Sequence, residues 1–119
     1  MDCCSLPGRL DCCAMSHVGM ILSGRTKPGR RADLYALFEE HLAPRALANP
    51  DQPVVVWMAD AADPETFHLF ELYRDRDAMD ANGQAAWFGA YMAASGPLLD
   101  GEPVLYLAEA RWAKGVEIE

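Results

Sequence analysis

The sequence contains few basic residues, and it has no long apolar run. Ten lysines and arginines stand against 18 aspartates and glutamates, which gives a formal net charge of −8 at pH 7. The basic residues form no stripe that could follow a phosphate backbone, so nucleic-acid binding is not expected. No apolar run approaches the roughly 20 residues of a transmembrane helix, and the N-terminus lacks the pattern of a signal peptide. We therefore expect a cytoplasmic protein without membrane contact.

Cysteine occurs only near the N-terminus. The four cysteines form two adjacent pairs, Cys3–Cys4 and Cys12–Cys13, each preceded by aspartate. Structural zinc sites space their ligands as C-x2-4-C so that both thiolates reach one ion, and adjacent cysteines do not fit that spacing. We interpret residues 1–17 as a disordered tail. The rest of the sequence contains no metal-ligand pattern, phosphate-binding glycine loop or nucleophile elbow.

The composition after this tail is that of a globular domain. Hydrophobic residues make up 51% of the chain and charged residues 24%, which argues against disorder. A chain of 119 residues is long enough for one domain with its own core. We assign this domain to residues 18–113 and a C-terminal tail to residues 114–119.

The predicted elements follow the order β-α-β-β-α-β. Apolar residues alternate as in strands over four segments, which are 18–27, 54–60, 66–73 and 102–112. Two helical segments, 30–48 and 74–99, lie between them, and Pro44 ends or kinks the first. This order predicts an α+β, ferredoxin-like fold in which one antiparallel sheet carries both helices on one face.

The second helical segment contains an Asn-Gly pair in its middle. Glycine costs about 1 kcal/mol relative to alanine inside a helix, but it is favoured where a helix ends in a left-handed conformation. We therefore predict that one helix ends near Asn82 and that a second begins around Gln84 or Ala85. Helix ends leave unpaired backbone N–H groups that can bind an oxyanion, so the break could form one wall of a small-molecule pocket.

The third predicted strand is apolar on both faces. Phe67, Leu69 and Tyr73 lie on one face, and Phe70 and Leu72 lie on the other. A sheet with one face in water would instead be polar at alternate residues. The second apolar face predicts a homodimer in which two sheets pack against each other.

The sequence from about 20 to 110 resembles the antibiotic biosynthesis monooxygenase family, whose members are small dimeric α+β barrel proteins. The resemblance rests on KPGR after the first strand and on DPETFHLFELY, which is similar to the family's D-P-x-x-F-x-L-x-E-x-W run. The residues that match this run are Asp63, Pro64, Phe67, Leu69 and Glu71, and Tyr73 takes the place of the tryptophan.

The sequence departs from the family at residues that carry chemistry. Where the family often reads A-H-x-x-S-P-H-F, this chain reads ANGQAAWF, so Asn82 and Trp87 replace two histidines and Ala86 replaces the proline. The family's E-P-G-C loop has become NPDQP. The haem-degrading members use an asparagine on the first strand and a histidine on the second helix, which are both missing here, so haem is not expected. The departures imply a pocket of different polarity on the same frame.

Two candidate catalytic residues lie on the third strand. Glu71 places a carboxylate in an apolar stripe, where a raised pKa would suit a general acid or base. The alternative is a structural ion pair with Arg25 or Arg111. His68 lies on the opposite face of the same strand and has an ordinary pKa near neutrality, and the alternative for it is a packing role.

The other candidates would hold the substrate or its oxygenated intermediate. Asn82 and Tyr73 would donate hydrogen bonds to the intermediate, although Asn82 could instead satisfy local backbone groups. Aromatic side chains could stack on a planar substrate or could simply pack in the core or the dimer interface. These substrate-binding candidates are Trp87, Tyr91, Phe88 and Trp57.

The resemblance and these candidates together predict a cofactor-independent monooxygenase. It would oxidise a small aromatic substrate of the phenol, anthrone or quinol type, with O2 as co-substrate and no cofactor. The alternative is a small-molecule-binding dimer without oxygenase activity, or an isomerase or cyclase on the same fold. The loss of both motif histidines favours that alternative.

Overall fold

The structure is a computed structural model that describes residues 17–118, so the four cysteines and the tail predicted over 1–17, except His17, lie outside it. His17 is buried, and its carbonyl accepts a hydrogen bond from the N–H of Ala110. The elements are β1 (Val18–Arg25), α1 (Arg31–His41), α2 (Ala43–Ala48), β2 (Val54–Ala59), β3 (Thr66–Tyr73), α3 (Arg76–Gly83), α4 (Ala86–Ser95), a 3₁₀ turn (Gly96–Leu98) and β4 (Val104–Glu109).

The four strands form one antiparallel sheet in the order β2-β3-β1-β4. The two central strands are therefore β1 and β3, and β2 and β4 are the edges. The register places Glu71 of β3 opposite both Met20 of β1 and Val55 of β2. This arrangement confirms the predicted α+β, ferredoxin-like fold.

The core lies between the sheet and α1. Leu34, Phe38 and Leu42 recur every four residues along α1 and pack against Phe67 and Leu69 of β3. These five side chains are all buried, and Leu34 is only 2% exposed. Full burial of such a side chain contributes about 1.5–3 kcal/mol. This apolar stripe is thus the surface that attaches the first helix to the sheet.

The first predicted helical segment is divided into α1 and α2. The division falls at Leu42, and Pro44 lies in the first turn of α2 instead of ending the helix. Proline is tolerated there because the first N–H groups of a helix have no carbonyl partner within it. The predicted break therefore occurs, but it lies at Leu42, two residues before Pro44.

The break in the second helical segment lies where the sequence predicts it. The helix α3 ends at Gly83, and α4 begins at Ala86. The predicted left-handed glycine is wrong, because Gly83 is not among the described glycines with positive φ. The chain turns instead at Ala85, which is extended, with φ −69° and ψ 145°. Its N–H donates to the carbonyl of Asn82, 3.3 Å away.

The sheet face that points away from the helices carries exposed apolar side chains. We call it the outer face, and its apolar residues with 40–61% exposure are Ile21, Val56, Met58, Val104 and Tyr106. Trp112, the last residue of the fourth predicted strand, lies beyond β4 and is 81% exposed. That prediction is wrong because β1, the partner of β4, starts at Val18, opposite Glu109. None of the helices within residues 17–118 combines the length and apolarity that crossing a membrane requires.

Candidate functional site

A cavity of about 420 Å³ lies between the helix-facing side of the sheet and the break that separates α3 from α4. Met20, Leu105 and Leu107 form its sheet side. A second cavity of about 340 Å³ continues beneath α4 and shares Met20, Glu71 and Phe88 with the first. Volumes of this size are typical of small-molecule sites.

Glu71 is the carboxylate in the wall of both cavities. Strand alternation turns it toward the helices, and its side chain is 4% exposed. Burial raises the pKa of this carboxyl, and its hydrogen bonds offset only part of that rise. The structural ion pairs considered from the sequence do not form, because Arg25 pairs with Asp63 and Arg111 pairs with Glu109. The negative charge of Glu71 therefore has neutral partners.

A chain of hydrogen bonds leads from α3 to this carboxylate. The side-chain amide of Asn82 donates to the hydroxyl oxygen of Tyr73 over 3.0 Å. The Tyr73 hydroxyl in turn donates to Oε1 of Glu71. Burial raises the pKa of Tyr73, and the nearby Glu71 charge adds to this effect. Tyr73 therefore keeps its proton and serves as a fixed donor to Glu71.

The second oxygen of Glu71, Oε2, accepts no hydrogen bond from the described residues. The side-chain amide of Gln52, in the loop before β2, donates to Oε1, which is the oxygen that also accepts from Tyr73. Both hydrogen bonds that side chains of described residues donate to the Glu71 carboxylate therefore end on Oε1. No buried side-chain nitrogen or oxygen among residues 17–118 lacks a partner. Oε2 is thus not an enclosed, unpaired atom. Because Glu71 lines both cavities, we infer that Oε2 is accessible from them.

The amide on the other side of Glu71 belongs to Gln52, which the sequence analysis missed. Its Nε2 donates to Oε1 over 2.9 Å, and the side chain is 7% exposed. One usable signal was present in the sequence, which is the carboxylate within an apolar stripe. A buried carboxylate requires donors, and a polar residue in the loop beside the paired strand β2 is in reach of it.

The predicted aromatic residues of α4 line the cavities together. Trp87 faces the first cavity, Tyr91 the second and Phe88 both. Trp87 and Phe88 meet edge to face with ring centroids 5.7 Å apart, and the guanidinium of Arg45 lies 5.1 Å from the Trp87 ring centre. Burial, with a smaller contribution from the Glu71 charge, raises the pKa of Tyr91 to about 12. Trp87, Phe88 and Tyr91 thus form an aromatic wall on the helix side of the site, which we call the aromatic roof.

Trp57 lies away from this roof. It stacks on Phe67 with ring centroids 5.9 Å apart and an interplanar angle of 5°, and it contacts Tyr35 of α1. It lines a separate open groove at the β2 edge. The structure therefore does not bring Trp57 together with Glu71 and Asn82.

His68 lies on the outer face, on the opposite side of the sheet from Glu71. Its Nδ1 is 2.7 Å from the hydroxyl of Ser23, and its Nε2 is 2.8 Å from Oδ1 of Asp60. The hydrogen bond with His68, followed by backbone N–H donors of Asp63 and Ala62, lowers the pKa of Asp60 to about 2. This cluster lines none of the cavities described above. His68 cannot reach a ligand in the Glu71 cavity without crossing the sheet.

Three charged side chains from the described part of the chain line the first cavity, and Glu71 is joined there by Arg76 and Asp80. Arg76 and Asp80 lie there and pair with each other over 3.4 Å. Arg76 is the one cationic side chain among the described residues that line this cavity. Within residues 17–118, no three or more His, Cys, Asp or Glu side chains group as metal ligands would. The one cationic side chain that lines this cavity within residues 17–118 is thus already paired with a carboxylate.

Comparison with solved structures identifies proteins of the same fold. A protein from Caulobacter crescentus CB15 is 26% identical, with a TM-score of 0.76 over 82% of this chain and 92% of its own. One from Chloroflexus aurantiacus J-10-fl is 20% identical, with a TM-score of 0.74 over 86% and 100%. One from Nitrosomonas europaea is 14% identical, with a TM-score of 0.76 over 83% and 94%.

Each of these three proteins is named a "putative antibiotic biosynthesis monooxygenase". No protein-family profile and no curated protein matches the sequence. The resemblance inferred from the sequence is confirmed by these structures, and the chain covers nearly the whole length of each.

Proposed function

We propose that this chain, which has the fold of the antibiotic biosynthesis monooxygenase-like proteins, oxidises a small, neutral hydroxyaromatic compound with O2 and without a bound cofactor. The observation that carries the proposal is that Oε2 of the buried Glu71 accepts no hydrogen bond from the described residues, in the wall of a cavity lined by aromatic and apolar side chains. Phenols, anthrones and quinols are the substrate types that fit this chemistry, because each can lose a proton to form an electron-rich anion.

Glu71 is the proposed general base. A carboxylate with a raised pKa is a stronger base than an ordinary one, and a base works best when its pKa lies near the operating pH. His68, the other candidate from the sequence, is separated from the cavity by the sheet. The proton therefore moves from the substrate hydroxyl, or from an acidic C–H of an anthrone, to Oε2 of Glu71.

The substrate anion then reacts with O2. In an anthrone-type substrate the anion gives one electron to O2, and the resulting radical pair combines to form a peroxide on the ring carbon. Loss of water from that peroxide leaves a ketone. The CH2 group thus loses both hydrogens, one oxygen atom becomes the carbonyl oxygen, and the other leaves as water. All four electrons come from the substrate, so the reaction needs no external reductant.

Asn82 is the proposed donor to the oxygen that carries negative charge. One N–H of its amide is used on Tyr73, and the second is left for a ligand because a side-chain amide has two. Tyr73 gives its single hydroxyl hydrogen to Glu71, so we assign it to holding the base. Donors that are fixed before the reaction stabilise developing charge more than mobile ones do.

The aromatic roof would hold the substrate ring. Trp87 and Phe88 offer faces and edges for stacking, which is favourable with another aromatic ring. A carboxylated substrate would meet the buried carboxylate of Glu71, whereas Arg76 and Asp80 are paired with each other. We therefore propose a neutral substrate.

We also propose that the chain forms a homodimer through the outer face. Its apolar side chains are half exposed in the single chain, and contiguous apolar surface of this kind usually marks an interface. A second copy is the proposed occupant because the face is apolar over neighbouring strands from one edge of the sheet to the other. The cavity lies on the opposite side of the sheet and is not covered by this contact.

The replacement of both motif histidines supports a second candidate function. A chain with Asn82 and Trp87 at those positions could bind the same aromatic compound without oxidising it, or could isomerise or cyclise it through Glu71 alone. Binding without O2 uptake would be its signature.

Oxygen consumption by the purified, metal-free protein tests both candidates. The panel contains anthrones, dihydroxynaphthalenes and quinols, each paired with a carboxylated analogue. We expect O2 uptake matched by product formation with at least one neutral compound and none with its carboxylated analogue. A compound that raises the melting temperature but is recovered unchanged, without O2 uptake, would refute the oxygenase and support the binding protein.

A further inference from the structure

We propose that Gln52 is a positioning residue of this site, which holds Oε1 of Glu71 so that the proton taken from the substrate lies on Oε2. The inference rests on the proposed function, in which Glu71 is the base. Gln52 is not among the residues that line the cavity of about 420 Å³. It acts through Glu71, 2.9 Å away.

The backbone of the Gln52 loop is fixed by its own hydrogen bonds. The side-chain oxygen of Asn49 accepts from the N–H of Asp51 over 3.0 Å, and the Asn49 carbonyl accepts from the N–H of Gln52 over 3.2 Å. The Asp51 carbonyl accepts from the N–H of Arg74, directly after β3, over 2.8 Å. The loop is thus attached to the strand that carries Glu71. The Gln52 amide reaches the carboxylate from a fixed position.

Two donors on one carboxylate oxygen decide where an added proton goes. Oε1 accepts from both Gln52 and Tyr73, so a proton on Oε1 would face two hydrogens already directed at that atom. Oε2 has no such obstacle, and it is the oxygen inferred above to be accessible from the cavities. When Glu71 takes up a proton, that proton is therefore held on the oxygen that a ligand can reach.

The other groups around Glu71 do not duplicate the role of Gln52. Apolar side chains face it from β1, β2 and β4. Besides Gln52, the polar or titratable groups that line the surrounding cavities or contact Glu71 are Tyr73, Asn82, Arg76, Asp80, Gln84, Tyr91, Ser95 and Arg45. Tyr73 is the other described donor to the carboxylate, and it can titrate. Gln52 cannot titrate, so it supports the ionised form of Glu71 at every pH.

Removing the Gln52 amide should therefore raise the pKa of Glu71. A hydrogen bond to a charged group is stronger than one to a neutral group, and the difference corresponds to roughly a fivefold change in an equilibrium constant. At a pH below the midpoint of its titration, we expect the ionised fraction of Glu71 to fall about fivefold in Gln52→Met. Methionine keeps the length of the side chain and removes the donor.

The test follows the side-chain carboxyl carbon of Glu71 by NMR across a pH series in protein labelled at glutamate. The Glu71→Gln variant identifies the signal. Asp51→Asn is the matched control, because it changes a polar side chain of the same loop whose ion pair with Arg74 does not involve Glu71. We expect the Glu71 midpoint to move to higher pH in Gln52→Met and to stay unchanged in Asp51→Asn.

An unchanged midpoint in folded Gln52→Met would overturn the proposal, as would an equal shift in the control. If Gln52→Met does not fold, Gln52→Asn decides, since its amide is one methylene too short to reach Oε1 and the same upward shift is expected. The titration needs no turnover. A shifted midpoint in a protein that oxidises no compound of the panel would therefore support the role of Gln52 and refute the oxygenase.

Discussion

Replacing Glu71 with glutamine changes one atom of the site, because Oε2 becomes an NH2 group while the amide oxygen can keep the place of Oε1. Tyr73 and Gln52 both donate to Oε1, so both hydrogen bonds can persist in Glu71→Gln. The variant loses only the atom that would accept the substrate proton. Positioned acid–base catalysis contributes about 10²- to 10⁴-fold to a rate. We expect turnover to fall by that factor, which corresponds to about 2.7–5.5 kcal/mol of activation free energy.

The same substitution should not destabilise the fold at alkaline pH. The pKa of Glu71 in the folded protein is raised above its ordinary value of 4.5 by burial, so the unfolded chain releases this proton first. Between these two values the folded state binds more protons, and stability falls as the pH rises. The loss of stability that comes from ionising Glu71 is complete once the pH exceeds the pKa of Glu71 in the folded protein. Since Glu71→Gln cannot ionise, we expect its melting temperature at pH 8 to equal or exceed that of the wild type.

The assay combines O2 uptake between pH 5 and 9 with thermal unfolding over the same range. Glu39→Gln is the control, because Glu39 is an exposed residue of α1 and its loss should leave both curves unchanged. The assignment of Glu71 as the base is refuted if Glu71→Gln turns over substrate at a rate close to that of the wild type and its rate falls toward low pH in the same way. It also fails if His68→Gln abolishes turnover while Glu71→Gln does not, since the base would then lie on the outer face.

Three further predictions concern the fold and its surfaces. Leu34→Ala should lower the free energy of unfolding by about 2–5 kcal/mol, whereas Leu47→Ala, at a side chain 90% exposed, should change it by less than about 0.5 kcal/mol in urea titrations. Val56→Lys on the outer face should convert the dimer to a monomer in sedimentation equilibrium, and an unchanged dimer would contradict sheet-to-sheet packing. The pKa of Asp60 is lowered from its ordinary value of 3.8 to about 2, so Asp60 contributes stability above pH 3.8 that is lost as the pH falls toward 2. Asp60→Asn should therefore be less stable than the wild type at pH 6 in thermal unfolding. A difference in melting temperature that did not narrow on acidification would contradict this assignment.

Hydrophobic periodicity determined the fold because it is local. The third strand was predicted over the residues that form β3, 66–73, since every second residue of a strand points to the same face. The apolar stripe of α1 was visible for the same reason. The break between α3 and α4 followed from an Asn-Gly pair that a continuous helix disfavours.

The backbone conformation at the break could not be read in the same way. Glycine permits a left-handed cap but does not require one, and tertiary contacts let the chain turn at Ala85 instead. The extent of β4 was equally hidden, because a strand continues only where a neighbour pairs with it. Trp112 looked like a strand residue, yet the pairing of β4 with β1 ends at Glu109, opposite Val18.

The sequence by itself determined which residue types could do chemistry, and the tertiary structure decided which of them meet. Strand parity separates Glu71 from His68, but only the packing of α1 and α4 selects the Glu71 face as the wall of the cavity. Gln52 lies 19 positions from Glu71 along the chain and carries no local pattern. It reaches the carboxylate because β2 pairs with β3, a contact between distant segments that no short stretch of sequence encodes.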